Sequence, residues 1–255
     1  MLATLAEQLR NAQQSGTPCE ALTSVHPELS VEDAYEIQRV NLEKQEENGA
    51  RIVGRKIGLT SLAVQEWLGV SEPDFGGLLD SMSVPNGGKA DITQLLQPRV
   101  EGELAFVLKK SLKGPGITPA QVIAATDFVL PAIEIIDSRI KDWKFKIQDT
   151  IADNASSGMF VVGSQPITLQ NINCRTTGLT LRKNGAVAST GAGAACLGDP
   201  INAVVWLANK LGSLGVEMKA GEVILSGALG PVVPVAAGDH IVVQIGRMSE
   251  VHVSF

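Results

Sequence analysis

Apolar residues near the amino terminus recur every three to four positions. Leu2, Leu5, Ala6 and Leu9 form one stripe that Gly16 and Pro18 end, which predicts a first helix. Ser30 predicts the start of a second: it is an N-cap residue with Asp33 three positions on, an Asp variant of the capping box. Val31, Ala34, Tyr35 and Leu42 share a narrow stripe, Gly49 stands at the C-terminal stop, and the charges between Glu36 and Glu47 read as a solvated helix face. From Arg51 onward glycines become frequent and β-branched residues cluster. Strands are predicted at Ile52–Ile57, Glu101–Leu108, Phe128–Ile136, Met159–Val162, Gly178–Lys183, Glu222–Leu225, His240–Ile245 and Glu250–Phe255. Thr118-Pro119 and Asp199-Pro200 each place a capping residue before a Pro at the first helical position. They start helices that run to about Thr126 and to about Leu214, the latter closed by Gly215. Strand and helix do not alternate regularly, which disfavours a doubly wound parallel sheet. The pattern predicts an α+β fold with a helical N-terminal cap over residues 1–50 and a β-rich body over 51–255.

Composition narrows the function. Of 255 residues 44% are hydrophobic and 19% charged, enough for a packed core and incompatible with disorder throughout. The formal charge is −6 and no Lys/Arg-dense stretch interrupts it, so the basic footprint that nucleic-acid binding requires is missing. Aromatic residues at 4% offer little base-stacking surface. Cys19, Cys174 and Cys196 are widely spaced, with no CxxC pair to hold zinc and no sign of a disulfide framework. No window approaches the ~18 uninterrupted apolar residues of a membrane span. The first residues lack a basic region, and Glu7 sits where an apolar signal core would lie. The expectation is a soluble, cytoplasmic protein with neither a nucleic-acid nor a membrane partner.

The acidic residues of the β-rich part carry the chemical information. In Val100-Glu101-Gly102-Glu103-Leu104-Ala105-Phe106-Val107-Leu108, a strand puts Glu101 and Glu103 on one face with Ala105 and Val107. The two carboxylates then stand ~7 Å apart at the backbone, where they repel, the more so if buried. Glu134 lies inside the apolar run Val129–Ile136, and a buried Glu needs a partner. Arg139 or a lysine would serve in a structural ion pair. Convergence of all three acids on a divalent cation is the more economical reading, and all-oxygen ligation favours Mg²⁺ or Mn²⁺ over zinc. The competing reading leaves Glu101 or Glu103 on a solvent-facing strand edge. An active site also needs acid–base neighbours. Lys56, flanked by Gly54 and Gly58, and Asp74, in Pro73-Asp74-Phe75-Gly76, are the candidates. Taken singly, they read more readily as a surface lysine and a turn aspartate.

Other motifs fail on context. Gly191-Ala192-Gly193-Ala194-Ala195-Cys196 has Cys196 in place of the third glycine of a dinucleotide fingerprint, and the preceding Asn184–Thr190 reads as a turn. Asp74-Phe75-Gly76 lacks the companion motifs of a kinase, and no Gly-x-Ser-x-Gly elbow supports a serine hydrolase. His26, His240 and His252 are far apart in sequence and read as core or surface residues.

Six segments, in order, resemble the 2-hydroxypenta-2,4-dienoate (2-keto-4-pentenoate) hydratase family of the fumarylacetoacetate hydrolase superfamily. They are Gly54-Arg55-Lys56-Ile57-Gly58-Leu59-Thr60-Ser61, Gly69-Val70-Ser71-Glu72-Pro73-Asp74-Phe75-Gly76, Gln97-Pro98-Arg99-Val100-Glu101-Gly102-Glu103, Leu130 to Arg139, Ala152 to Gly158, and Leu225 to Pro231. The resemblance implies a mixed β-sheet roll with a small helical N-terminal region. It implies Mg²⁺ or Mn²⁺ on Glu101, Glu103 and Glu134, with Lys56 and Asp74 beside the metal. It places Asn154, Ser156 and Ser157 near the substrate, with Ser157 standing where some hydratases carry Cys. The implied substrate is a small 2-hydroxydienoate from meta-cleavage catabolism of aromatic compounds. Its dienol would convert to the conjugated ketone and then take water at C4, giving 4-hydroxy-2-oxopentanoate.

The sister 2-oxo-3-hexenedioate (4-oxalocrotonate) decarboxylases share the Glu motifs and are the alternative. Arg55, Phe75-Gly76 and Gly227-Ala228-Leu229 resemble the hydratase form. The resemblance further implies a homo-oligomer, with a sister decarboxylase or a downstream aldolase as partner in a complex. A non-enzymatic metal-bound partner or an acid-binding β module is opposed by the joint presence of Lys56, Asp74 and the three Glu. A C–C bond hydrolase would need a His–Glu pair that the Lys56 region lacks.

Overall fold

The computed structural model describes the backbone of residues 1–255 and all side chains except those of Trp67 and Leu68. Three helices lead: α1 (Leu2–Ser15), the single turn α2 (Leu22–Val25) and α3 (Val31–Glu47). Helix α1 closes on Gly16 in the left-handed conformation, and α3 opens with the expected reciprocal capping box between Ser30 and Asp33. The buried stripe of α3 is Ala34, Tyr35, Ile37 and Gln38, with Val31 and Leu42 at its half-buried margins.

The strands are β1 (Ile52–Gly58), β2 (Asp74–Leu79), β3 (Arg99–Leu108), β4 (Thr126–Ile136), β5 (Ser157–Val162), β6 (Gly178–Lys183), β7 (Ala186–Ala192), β8 (Val223–Leu225), β9 (Val233–Pro234), β10 (His240–Ile245) and β11 (Val251–Ser254). Between them lie helices α4 (Leu62–Leu68), α5 (Pro119–Ala125), α6 (Ile147–Ala152) and α7 (Pro200–Ser213). Pro at the start of α5 and of α7 confirms the two Pro-initiated helices.

One sheet runs β2-β1-β8-β3-β4-β5, with β9 added beside β3, and the other runs β11-β10-β6-β7. Only β1 and β8 pair in parallel, so the larger sheet is mixed. The two sheets meet across β3. Leu104 and Phe106 are fully buried on its second face, and a side chain at Gly102 would lie 2.5 Å from Leu179 of β6 and 3.2 Å from Val243 of β10. Glycine between the two glutamates therefore lets the layers close. The opposite face of the large sheet holds a second apolar cluster of Leu78, Ala105, Leu130, Ala132, Phe160 and Leu225.

The helices are tied into this frame. Gln38 Nε2 donates to the carbonyls of Phe75 on β2 (2.8 Å) and Ile151 on α6 (2.9 Å). Tyr35 stacks on Phe75 with ring centroids 4.6 Å apart. Thr23 donates to both carboxylate oxygens of the fully buried Asp149, through its backbone N–H (2.9 Å) and its hydroxyl (2.7 Å).

Two sequence readings need correction. Asn184–Thr190 is not a turn throughout: only Asn184 and Gly185, both at positive φ, reverse the chain, and β7 follows as the outer strand of a hairpin with β6. Strand β2 and helices α4 and α6 were not expected from the sequence pattern. All three cysteines are free, and no helix among the described residues is long and apolar enough to cross a membrane.

Candidate active site

Antiparallel pairing of β3 with β4 sets the acidic cluster. Glu101 stands opposite Glu134 and Glu103 opposite Ala132, so the pleat turns all three carboxylates to one face of the sheet. Glu103 and Glu134 are buried and Glu101 is half-buried. One carboxylate oxygen from each lies within 4.8 Å of the other two.

Their remaining contacts are few. Glu103 Oε2 accepts from the Gly227 backbone N–H at 2.7 Å, while its Oε1 is buried and unpartnered. Glu134 Oε1 lies 3.1 Å from Lys56 Nζ, in ion-pair range but without hydrogen-bond geometry, and its Oε2 has no partner. Burial and mutual repulsion make this arrangement costly as three bare carboxylates. Burial, reinforced by Glu134, pushes the Glu101 carboxyl up to about 7. Glu103 is driven well above the usual carboxylate range by burial and by Glu134 and Glu101; Glu134 is raised by burial against the opposing pull of Lys56. Unpartnered buried oxygens converging from three carboxylates, with no thiol or imidazole among them, are a donor set suited to a hard divalent cation.

Lys56 and Asp74 adjoin this cluster on neighbouring strands. Lys56 on β1 pairs with Gly76 on β2, and Gly58 with Asp74. Both side chains are buried rather than surface-exposed. A Cβ placed on Gly58 would lie 2.1 Å from Asp74 Oδ1 and 3.3 Å from Lys56 Nζ, so both groups converge on the space that glycine leaves. Lys56 Nζ donates to the Ala155 carbonyl at 2.8 Å. Burial alone would lower its pKa, but Glu134, Asp74, Glu101 and Glu103 together outweigh burial and raise it. Asp74 Oδ2 accepts from Thr150 Oγ1 of α6 at 3.1 Å, and Oδ1 is unpartnered. Burial raises the Asp74 carboxyl; Lys56 and Thr150 oppose it without cancelling the rise.

The loop after α6 closes one side of the site. Asn154, Ala155 and Ser156 all take positive φ, three consecutive non-glycine residues in the left-handed region. Arg139 holds the loop in shape. Its guanidinium bonds the Asp153 carboxylate, the Asp153 carbonyl (2.6 Å) and the Ser157 carbonyl (2.8 Å). Asp153 is raised to about 6 by burial, with Arg139 pulling the other way. Of the two partners open to Glu134, Arg139 or a lysine, the structure gives the lysine: Lys56 reaches Glu134, and Arg139 is consumed by the loop.

Asn154 spends its side-chain amide on Gly77, accepting from its N–H (2.8 Å) and donating to its carbonyl (2.9 Å). Ser156 Oγ lies 3.4 Å from Thr150 Oγ1, and the buried Ser157 Oγ has no partner. Sequence reasoning overlooked Thr150, the Ala155 carbonyl and the Gly227 N–H. Backbone groups leave no residue-type signal, and Thr150 sits in a helix too short to announce itself.

Comparison with known proteins agrees with this architecture. Residues 70–254 match the family described as fumarylacetoacetate (FAA) hydrolase C-terminal. The chain is 48% identical to a 2-hydroxyhexa-2,4-dienoate hydratase of Comamonas testosteroni, covering 100% of this chain and 97% of the relative. It is also 48% identical to a 2-keto-4-pentenoate hydratase of Paraburkholderia xenovorans, covering 98% and 93%. Among solved structures, 4-oxalocrotonate decarboxylase from Pseudomonas putida G7, complexed with magnesium and adipate, superposes with a TM-score of 0.97 at 40% identity, covering 100% and 97%. The chain belongs to the fumarylacetoacetate hydrolase family, in its 2-keto-4-pentenoate hydratase branch.

Proposed function

We propose that the protein is a hydro-lyase that adds water to 2-hydroxypenta-2,4-dienoate to give 4-hydroxy-2-oxopentanoate, using Mg²⁺ or Mn²⁺ held by Glu101, Glu103 and Glu134. The observation that carries this reading is the convergence of those three carboxylates beside Lys56 and Asp74. The hydratase names of full-length relatives at 48% identity support the reaction type.

A divalent cation at this position would act as a Lewis acid toward the oxygens of a 2-oxo acid, with coordination positions left open by only three protein ligands. The chain's own groups then divide the remaining work. An ammonium has three donors. Ala155 takes one Lys56 donor and Glu134 lies beside the ammonium as its counter-ion, which leaves Lys56 able to meet a substrate oxygen as charge builds there. Asp74 is oriented through Oδ2 by Thr150 and keeps Oδ1 open, as a group that takes a proton from the dienol and returns one to carbon must. The Asn154–Ser157 loop, stiffened by Arg139, walls the site and excludes bulk water from these groups.

The test is to incubate purified protein and Mg²⁺ with freshly generated 2-hydroxypenta-2,4-dienoate. Loss of its ultraviolet absorbance with formation of 4-hydroxy-2-oxopentanoate is the expected result. No loss, together with CO₂ release from 2-oxohex-3-enedioate, would reassign the chain to the decarboxylase reaction of the Pseudomonas putida structure.

A further inference from the structure

The peptide unit joining Ser226 to Gly227 is held from both sides. Its N–H, belonging to Gly227, donates to Glu103 Oε2 at 2.7 Å. Its carbonyl, belonging to Ser226, accepts from Cys196 Sγ at 2.9 Å. Cys196 and Ser226 are both fully buried, so no bulk water competes for either bond. Because the two polar groups of one peptide are coplanar and point in opposite directions, fixing the carbonyl fixes the direction of the N–H.

Residue 227 supplies no anchor of its own. It has no side chain, its φ is +107°, and a Cβ there would lie 2.3 Å from Thr60 Oγ1. The Ser226 N–H ties the preceding peptide to the Leu104 carbonyl at 3.1 Å; the carbonyl of the 226–227 peptide itself is held by the thiol, a weak donor. The result at Glu103 is asymmetric: Oε2 is occupied, and the buried Oε1 is left without a partner in the carboxylate cluster.

We infer that Cys196 is a positioning residue for the cation site: its S–H orients the 226–227 peptide, which orients Glu103 so that Oε1 faces the ion. This rests on the reading of Glu103 as a metal ligand. Mutation of groups that orient a metal ligand from behind typically costs about 10- to 100-fold in metal affinity.

The test measures Mn²⁺ binding to the full-length protein by electron paramagnetic resonance of the free ion, which requires no turnover. Cys196→Val fills the space without a donor, and Cys196→Ser keeps a donor in a smaller side chain. The expected result is that Cys196→Val weakens Mn²⁺ binding about tenfold, while Cys196→Ser stays near the unsubstituted affinity. A role in packing alone gives the reverse order, and unchanged affinity in Cys196→Val also overturns the inference. Glu103→Gln separates the two levels: if it binds Mn²⁺ as the unsubstituted chain does, the metal site itself is wrong. If Cys196→Val does not fold, the infrared S–H stretch of the unsubstituted protein decides, with the Cys196 band identified by its loss in Cys196→Ser. A band lowered as in an S–H···O=C bond supports the relay, and a band at the free-thiol position overturns it.

Discussion

Glu101 and Glu134 face each other across the β3–β4 ladder, a cross-strand pair of like charge with Glu101 half-buried and Glu134 buried. Directly opposed like charges destabilise a sheet, and Glu103 adds a third on the same face. The metal-free chain therefore carries strain that a divalent cation would relieve.

Glu103→Gln separates that strain from function. Glutamine keeps an oxygen for the Gly227 N–H and removes an ionisable group from the cluster. The metal-free variant is expected to melt at or above the temperature of the unsubstituted protein, by about 1 kcal/mol in stability. Mg²⁺ should no longer raise the melting temperature, and hydratase activity should fall at least ~100-fold. Scanning calorimetry with and without Mg²⁺, alongside the absorbance assay, checks all three.

The acidic cluster also sets a pH dependence. The Glu101 carboxyl is raised from 4.5 to about 7 in the folded chain, so between those values the folded state binds more protons than the unfolded state. By linkage the stabilisation is complete below about 4.5 and is lost as pH rises through about 7. Metal-free protein should consequently lose melting temperature across this window as pH increases. Mg²⁺ must displace the same protons, so its apparent affinity should rise over the window and level off above it. Melting curves in EDTA and in Mg²⁺ over a pH series report both trends.

Lys56→Met removes the sole cation beside Glu134 among the described contacts. Breaking a buried ion pair from one side costs about 3–5 kcal/mol, so the metal-free variant should be clearly destabilised. Saturating Mg²⁺ should recover much of that loss by supplying positive charge to Glu134. Turnover should remain at least ~100-fold down even when Mg²⁺ is bound, because the donor to the substrate is gone. Stability recovered together with activity would exclude the assigned role.

Gly58→Ala is a probe of spacing. The new methyl would sit 2.1 Å from Asp74 Oδ1, closer than atoms can approach, so the carboxylate must swing away from Lys56. The expected outcome is a fall in kcat of ~10²-fold or more, with the Mg²⁺-induced rise in melting temperature retained because no carboxylate of the cluster is touched.

The carboxylate cluster was legible because period-two alternation does not depend on tertiary context: Glu101 and Glu103 must share a face if β3 is a strand, and Glu134 was conspicuous in an apolar run. Strand β2 was hidden because the site itself erases its signal. Gly76 is glycine since a side chain there would meet the Asn154 carbonyl at 2.3 Å and Ser157 Oγ at 2.8 Å, and Gly77 approaches Leu42 and Arg55. These glycines remove the β-branched character by which strands are recognised. Strand β7 was hidden for a different reason: its first three residues are exposed, so burial imposes no alternation on them. The partners of Lys56 and Arg139 depend on how distant strands and the 153–157 loop meet, which no local pattern encodes.

The register of β3 against β4 has an evolutionary consequence. Sliding one strand by a single residue would turn Glu134 to the far side of the sheet while Glu101 and Glu103 stayed put. The convergence of the three carboxylates is therefore set by the pairing of the backbone and not by any surface loop. Segments that would meet a substrate's tail could therefore be remodelled, and one 2-oxo acid exchanged for another, without disturbing the register that brings the three carboxylates together.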